Sequence, residues 1–328
     1  MKSTLARKIK SAIGLLRGDD AWSGICQKIG ENLRIFRFKR HRCGPLFYRH
    51  SNGFRYAVVP EVPETKEIYL HQQRYEKTEA AVIRQWLVPG DFAVDCGANV
   101  GLLSSLMAER AGHTGTVWAV EASPSTAAKL DAVLAVLRLP QVKVIRKAVS
   151  DRAGEVVFSD DTSRSESNTI QLGGSEVEAK AVVRVPATSL DELLACGTAR
   201  APALLKMDIE GAEPLGLKGW TSLATSPSPP VLIFEVYPRG LGRLGFTPMD
   251  IFTALPMRRY DFWHINFSSP NLWPDFPCGV PFVLNDPSGY SWPTHYNVIA
   301  VPREGTFAMR APRLASVLPQ QHATRLGI

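Results

Sequence analysis

The chain has 328 residues, 45% apolar and 21% charged, which is enough for one large domain or two small ones around a full core. No apolar run reaches membrane-spanning length, and Ser11–Leu16 is too short for a signal-peptide core. Five scattered cysteines with no CxxC pair argue against a zinc cage or a disulfide framework and for a reducing, cytoplasmic setting.

The net charge of +7 is unevenly placed. Residues 1–50 carry 12 Lys/Arg against 3 Asp/Glu, and the rest carries 26 against 28, so nucleic-acid binding by the body is not expected. Residues 1–20 set Leu5, Ile9, Ile13 and Leu16 at helical spacing against Lys2, Arg7, Lys8, Lys10 and Arg17. Such a helix either packs its apolar side on the domain, the plainer reading, or makes weak contact with an anionic membrane surface. Arg34–Arg42 alternates cations with Ile35, Phe36 and Phe38 and reads as a basic strand or an anionic-substrate contact, with a solvated edge the plainer reading. Phe54–Tyr69 reads as short strands broken by Pro60 and Pro63. Glu76–Leu87 has helical periodicity and stops at Pro89-Gly90.

Asp91–Cys96 is a short apolar run suited to a buried strand, and Gly97-Ala98-Asn99-Val100-Gly101 is a glycine turn opening an apolar helix. A helix start offers free N–H groups, glycine admits a close ligand, and Asp95 adds an acceptor at the strand end. That combination suits a ligand with both anionic and donor groups, such as an adenosyl amino acid. The plainer alternative is a turn that only joins strand to helix. The middle glycine of a dinucleotide fingerprint is missing, and no Lys-Ser/Thr follows as in a P-loop.

A second buried strand, Thr116–Val120, ends in Glu121, placed to accept from ribose hydroxyls or to open the helix begun by Ser123-Pro124. Val142–Ile145 is a third strand, and the residues after it, Lys147-Ala148-Val149-Ser150, are expected to face an adenine, with Ala148 the candidate contact. Glu155–Phe158 and Val182–Val185 read as short strands. The Ser-rich Asp160–Gly174 reads as a loop with Ser167, Asn168 and Thr169 as candidate substrate contacts, although a plain surface loop is the simpler reading. Ser189–Leu194 is a capped helical turn.

Ala203–Glu213 is the second dense stretch. A buried strand delivers Lys206, Asp208 and Glu210 in alternation, so all three share one side if the strand persists. Charges so placed are costly unless paired or used, and strand carboxyl ends are where open α/β sheets bind ligands. An ion-paired structural cluster is the alternative. Val231–Val236 carries Glu235 at its end, Thr247–Leu255 reads as a capped helix, and Tyr260–Ile265 and Tyr296–Val301 read as the last strands. Asn266–Thr294 is rich in Pro, Trp and Phe and would make an apolar wall over the ligand edge, unless it is an aromatic loop that only covers core. His264 and His295 read as structural, and Ala315–Ile328 as a disordered tail.

The turn Asp95–Gly101, Glu121, the run Lys206-Met207-Asp208-Ile209-Glu210-Gly211-Ala212-Glu213 and Glu235 occur in one order. Over about residues 76–301 this resembles the FkbM-like family of S-adenosylmethionine-dependent methyltransferases. The resemblance implies an α/β class I methyltransferase (Rossmann-like) fold. Its mostly parallel seven-stranded sheet has helices on both faces and an antiparallel last strand. It also implies a division into a basic N-terminal extension (1–75), a methyltransferase domain (76–302) and a tail (303–328). It implies S-adenosylmethionine bound by Asp95, Gly97, Asn99, Gly101, Glu121 and Ala148. Methyl transfer, most commonly to oxygen, would occur near Asp208, Glu210 and Glu235 with Lys206 among them. The acceptor would be a hydroxyl of a sugar, polyketide or similar small molecule or glycan. No metal ligand set is assigned, although two close carboxylates are an oxygen-ligand alternative. A nicotinamide-type oxidoreductase and a non-catalytic adenosylmethionine-binding protein are the rival classes.

Overall fold

The computed structural model describes residues 19–41, 43–72, 76–160, 169–171, 182–196, 200–265, 280–281 and 296–314. The amphipathic stretch within residues 1–18, Ser167 and Asn168, most of the 266–294 segment, His295 and the 315–328 tail lie outside these. The described chain opens with α1 (Asp19–Arg40), the hairpin β1 (Leu46–Arg49) and β2 (Arg55–Val58), then α2 (Pro63–Leu70) and α3 (Lys77–Trp86). The repeating core follows as β3 (Phe92–Cys96), α4 (Leu102–Ala111), β4 (Thr116–Val120), α5 (Pro124–Leu137) and β5 (Val142–Ile145). Next come β6 (Ala148–Val149), β7 (Gly154–Ser159), β8 (Ile170–Gln171), β9 (Val182–Thr188), α6 (Leu190–Ala195), β10 (Leu204–Met207) and α7 (Glu213–Lys218). The described chain closes with β11 (Val231–Val236), α8 (Pro238–Arg243), α9 (Pro248–Thr253), β12 (Tyr260–Ile265), β13 (Val280–Pro281) and β14 (Tyr296–Pro302).

One sheet runs in the order β13-β12-β14-β11-β10-β3-β4-β5. The pairs from β11 through β5 are parallel, and β14 lies antiparallel to both β11 and β12. The expected antiparallel last strand is therefore present. The described sheet has eight strands rather than seven, because the two-residue β13 pairs onto the edge of β12.

Side-chain alternation divides this sheet into two faces. Leu204, Ile233 and Ile299 pack under Ile83 and Trp86 of α3 and Leu103 and Leu106 of α4. Leu205, Met207 and Phe234 pack on the other side against Leu190, Leu217, Leu241 and Phe252. Helices thus cover both faces, as a sheet buried on both sides requires.

Two expectations are corrected. Arg34–Arg42 is not a basic strand: Arg34 to Arg40 belong to α1. Alternation over a few residues was outweighed by a longer run of good helix formers. Residues 63–70 are helical, because Pro63 opens a helix at its first position, where proline's missing N–H costs nothing. The strands around Glu155 and Val182, expected only as short strands, lie outside the main sheet. They form a second sheet, β6-β9-β7-β8.

Residues 46–70, within the expected extension, share a core with the rest. Tyr48, Phe54, Tyr56 and Ile68 lie in the same cluster as α3 and α4. At the other end, Arg310 donates to both oxygens of Asp91 at 2.6 and 3.0 Å, and Leu314 is buried in that cluster. The buried Tyr56 hydroxyl donates to the Val100 carbonyl at 2.8 Å, tying β2 to the glycine turn. Tyr56→Phe strands that carbonyl and is expected to cost about 1–3 kcal/mol of unfolding free energy. A shift in the urea midpoint with an unchanged slope is the measurement.

Candidate active site

The parallel register sets Lys206 of β10 directly beside Asp95 of β3. Both lie on the face under α3 and α4, as does Glu235 of β11, whose antiparallel partner is Asn297 of β14. Asp95, Lys206, Glu235 and Asn297 are all buried. Lys206 Nζ lies 3.7 Å from Asp95 Oδ1 and 3.1 Å from Asp208 Oδ2, and Ser104 donates to Asp95 Oδ2 at 2.5 Å. Burial lowers the affinity of Lys206 for its proton, but Asp208, Asp95 and Glu76 outweigh it and hold the ammonium well above the ordinary lysine range. Burial pushes the Asp95 carboxyl up, opposed by Lys206 and Ser104.

The strand stops at Met207, so Lys206, Asp208 and Glu210 do not alternate along one extended run as expected. A tight loop still brings the last two together. Glu210 sits in the left-handed region at φ 59°, which an L residue adopts only at a cost. The loop is pinned from both sides: the Ile209 N–H donates to the buried Glu213 at 2.9 Å, and Thr169 Oγ1 donates to the Ile209 carbonyl at 3.2 Å. Thr169 is therefore a prop for this loop through that bond. One carboxylate oxygen each from Asp208, Glu210 and Glu235 lies within 4.8 Å of the others. Burial, reinforced by Glu235 and Asp208, pushes Glu210 up to about 10, and burial also raises Glu235 well above the carboxylate range. This oxygen set also fits a cation that prefers oxygen ligands.

At the other strand tip, Gly97 and Ala98 donate to the Val120 carbonyl at 2.9 and 3.1 Å. Glu121 accepts from the Asn99 and Ser123 N–H groups, both at 2.9 Å. Its carboxylate has further lone pairs for hydroxyl donors. Burial raises it to about 7, and those two N–H groups oppose the rise. Gly97 is required by chain packing as much as by any ligand, since a Cβ there would lie 1.7 Å from the Asp208 carbonyl oxygen.

These groups line a cavity of about 400 Å³. Of the expected cofactor contacts, Asp95, Gly97, Asn99, Glu121 and Ala148 line it together with Lys206, Asp208, Glu210 and Glu235. Gly101 is not among the lining residues. It caps α4 at φ 78° and packs on Leu130. Residues that the sequence did not single out also appear. Glu76 lines the cavity at the start of α3 with φ 43°, pushed up to about 8 chiefly by burial. Glu79, one turn on, is buried and accepts from Asn297 Nδ2. Phe158 and Ile170 close the wall near Ala148, beside Lys147 of the stretch already expected there. In the sequence Glu76 and Glu79 read only as acids at a helix start, and their one signal was their place ahead of the glycine-turn strand.

Residues 95–262 match the sequence profile described as the Methyltransferase FkbM domain, which is half of the chain. The chain belongs to the FkbM methyltransferase family. Its cofactor is S-adenosylmethionine and its reaction is methyl transfer, and the nicotinamide reading falls away. No curated protein matches the chain. Among solved structures, the FkbM methyltransferase of Methylobacillus flagellatus KT is 16% identical, with TM-score 0.39, over 72% of this chain and 52% of its own, so this chain spans about half its length. A Streptococcus mutans protein in complex with SAH is 10% identical with TM-score 0.37, over 67% of this chain and 93% of its own. An rRNA methylase from Streptococcus thermophilus is 10% identical with TM-score 0.38, over 71% and 95%. These comparisons do not support the expected exclusion of nucleic acid.

The cavity fits this cofactor by charge. Glu76, Asp95, Glu121, Asp208, Glu210 and Glu235 line it against two lysines, Lys147 and Lys206. Burial raises Glu76, Glu121 and Glu210, and a sulfonium and an ammonium beside such carboxyls would favour their ionised forms, while ribose hydroxyls are donors for Glu121. The folded chain keeps protons on Glu76, Glu121 and Glu213, raised to about 8, 7 and 7, that the unfolded chain sheds near 4.5. Unfolding therefore releases protons between about pH 4.5 and pH 8, and the stability these groups contribute falls as pH rises through that window. The ligand-free melting temperature is expected to drop across it, and Glu121→Gln to flatten the drop. Differential scanning fluorimetry over a pH series checks this.

Proposed function

We propose that this chain transfers the methyl group of S-adenosylmethionine to a hydroxyl oxygen of a sugar, polyketide or similar small-molecule or glycan acceptor. The observation that carries the reading is the carboxylate group Asp208, Glu210 and Glu235, gathered within 4.8 Å at one end of the cavity. A hydroxyl acceptor must lose a proton as it is methylated, and a positioned carboxylate speeds such a step by about 10²–10⁴-fold.

When bound, S-adenosylmethionine supplies an electrophilic methyl group. The residues do the rest. Asp95, the Gly97–Asn99 turn and Glu121 hold and orient the cofactor, and Ala148 meets its base. Orientation of this kind lowers a barrier by about 7–11 kcal/mol. Asp208, ion-paired to Lys206 at 3.1 Å, takes the acceptor's proton. Glu210, which burial keeps protonated at neutral pH, donates to the acceptor, and Glu235, raised in the same direction by burial, helps to position it. Glu76 faces the cofactor's cationic end. The described free thiols, Cys43, Cys96 and Cys196, support placing the reaction in the reducing cytoplasm.

Asp208→Asn is expected to lower turnover by about 10²–10⁴-fold while the calorimetric affinity for S-adenosylmethionine stays near that of the wild type. Wild-type turnover would remove Asp208 from the mechanism. Glu76→Gln is expected to weaken cofactor binding about tenfold or more, with turnover at saturation little changed. Transfer of labelled methyl into a panel of sugar, polyketide and lipid hydroxyls identifies the acceptor class. Cofactor uptake with no transfer to any of them would favour a binding protein. A second reading places a divalent cation on the same three carboxylates. Loss of turnover in a chelator, restored by magnesium, would decide for it.

A further inference from the structure

Helix α1 has two sides of different character. At 100° per residue, Glu31, Arg34 and Phe38 fall together, and this side packs on the body. Arg34 Nε donates to the Leu70 carbonyl at 2.9 Å, Glu31 lies 3.6 Å from His71, and the Lys66 ammonium sits 5.4 Å over the Phe38 ring.

Ile29, Leu33 and Phe36 stand opposite, at i, i+4 and i+7, and are 52%, 63% and 58% exposed. Lys28 and Lys39 flank this row on one side and Arg37 on the other, all three exposed. The Arg40 guanidinium lies 5.3 Å over the Phe36 ring at the helix end. Between residues 28 and 40 the sole acid is Glu31, on the packed side. A solvent-facing row of large apolar side chains between two lines of cations is the pattern of a helix lying in a membrane interface. The cations reach headgroup phosphates, and the apolar row enters the acyl boundary. Nucleic acid would use the cations but leave Ile29, Leu33 and Phe36 in water.

We propose that α1 seats this enzyme on an anionic lipid surface. Charge placement agrees with this: residues 1–50 carry +9 and the remainder −2, so the net positive charge belongs to the part of the chain that includes α1. The proposal is independent of which acceptor is methylated.

The test is co-sedimentation of the full chain with phosphatidylcholine vesicles, with and without phosphatidylglycerol. Binding is expected only to the anionic vesicles and should fall as salt is raised. Leu33→Ser with Phe36→Ser should weaken it about tenfold or more, as should Arg37→Gln with Arg40→Gln, while the melting temperature stays near wild type. Three results would overturn the proposal: no binding of the wild type, unchanged binding of the Leu33/Phe36 variant, or a lipid-free dimer that this variant dissociates. RNA capture lost in the Arg37/Arg40 variant and kept in the Leu33/Phe36 variant, without vesicle binding, would assign the face to nucleic acid instead.

Discussion

A lysine buried in a sheet is the constraint on which this structure depends. Taking an ammonium out of water costs several kcal/mol unless counter-charges stand close, and removing one partner of such a pair is worse than never having built it. Lys206 is 5% exposed, and its partners come from two other places in the chain: Asp95 from the neighbouring strand, and Asp208 from the loop beyond its own strand. Register therefore has little freedom. A one-residue slip of β10 against β3 would turn Lys206 toward the apolar side occupied by Leu205 and Met207. The need to pair this charge and the need to bury those hydrophobic residues select the same alignment.

That alignment also builds the cavity. Because Asp95, Lys206 and Glu235 occupy the same face of adjacent strands, the carboxyl ends of β3, β10 and β11 present one polar rim above an apolar sheet. The chain then bends tightly on either side of the rim. Gly97 lets the first turn nest against the Asp208 carbonyl, and the left-handed Glu210 lets the loop after β10 fold back. Both are local costs, and both bring side chains from distant sequence positions into one cavity.

The cavity is more acidic than stability alone would favour. Glu76, Glu121 and Glu210 are each held well above the ordinary carboxylate range, with burial the leading cause. A fold retains groups in that condition where a ligand or a reaction uses them. A cationic cofactor beside these groups would favour their ionised forms, which couples its binding to proton release. The same logic, with opposite sign and at the surface, applies to α1, where exposed cations border exposed apolar side chains.

Much of this was legible in the sequence. The strand-turn-helix at 91–108, the acid after the second strand and the dense run at 203–213 announce themselves, because buried parallel strands are continuous apolar runs and glycine turns interrupt them visibly. Glu76 and Glu79 were not legible, since an acid at a helix start looks alike whether it faces solvent or a cavity. Nor was the second sheet, because short strands do not reveal their partners, or the reason for Gly97, which lies in a carbonyl 111 residues away in the chain. The sequence by itself determined which segments become strands and helices and where charge is concentrated, since periodicity and turn chemistry are local. Only the tertiary structure decided which carboxylates share an ammonium or a cavity, because those depend on distances between strands that the chain order does not contain.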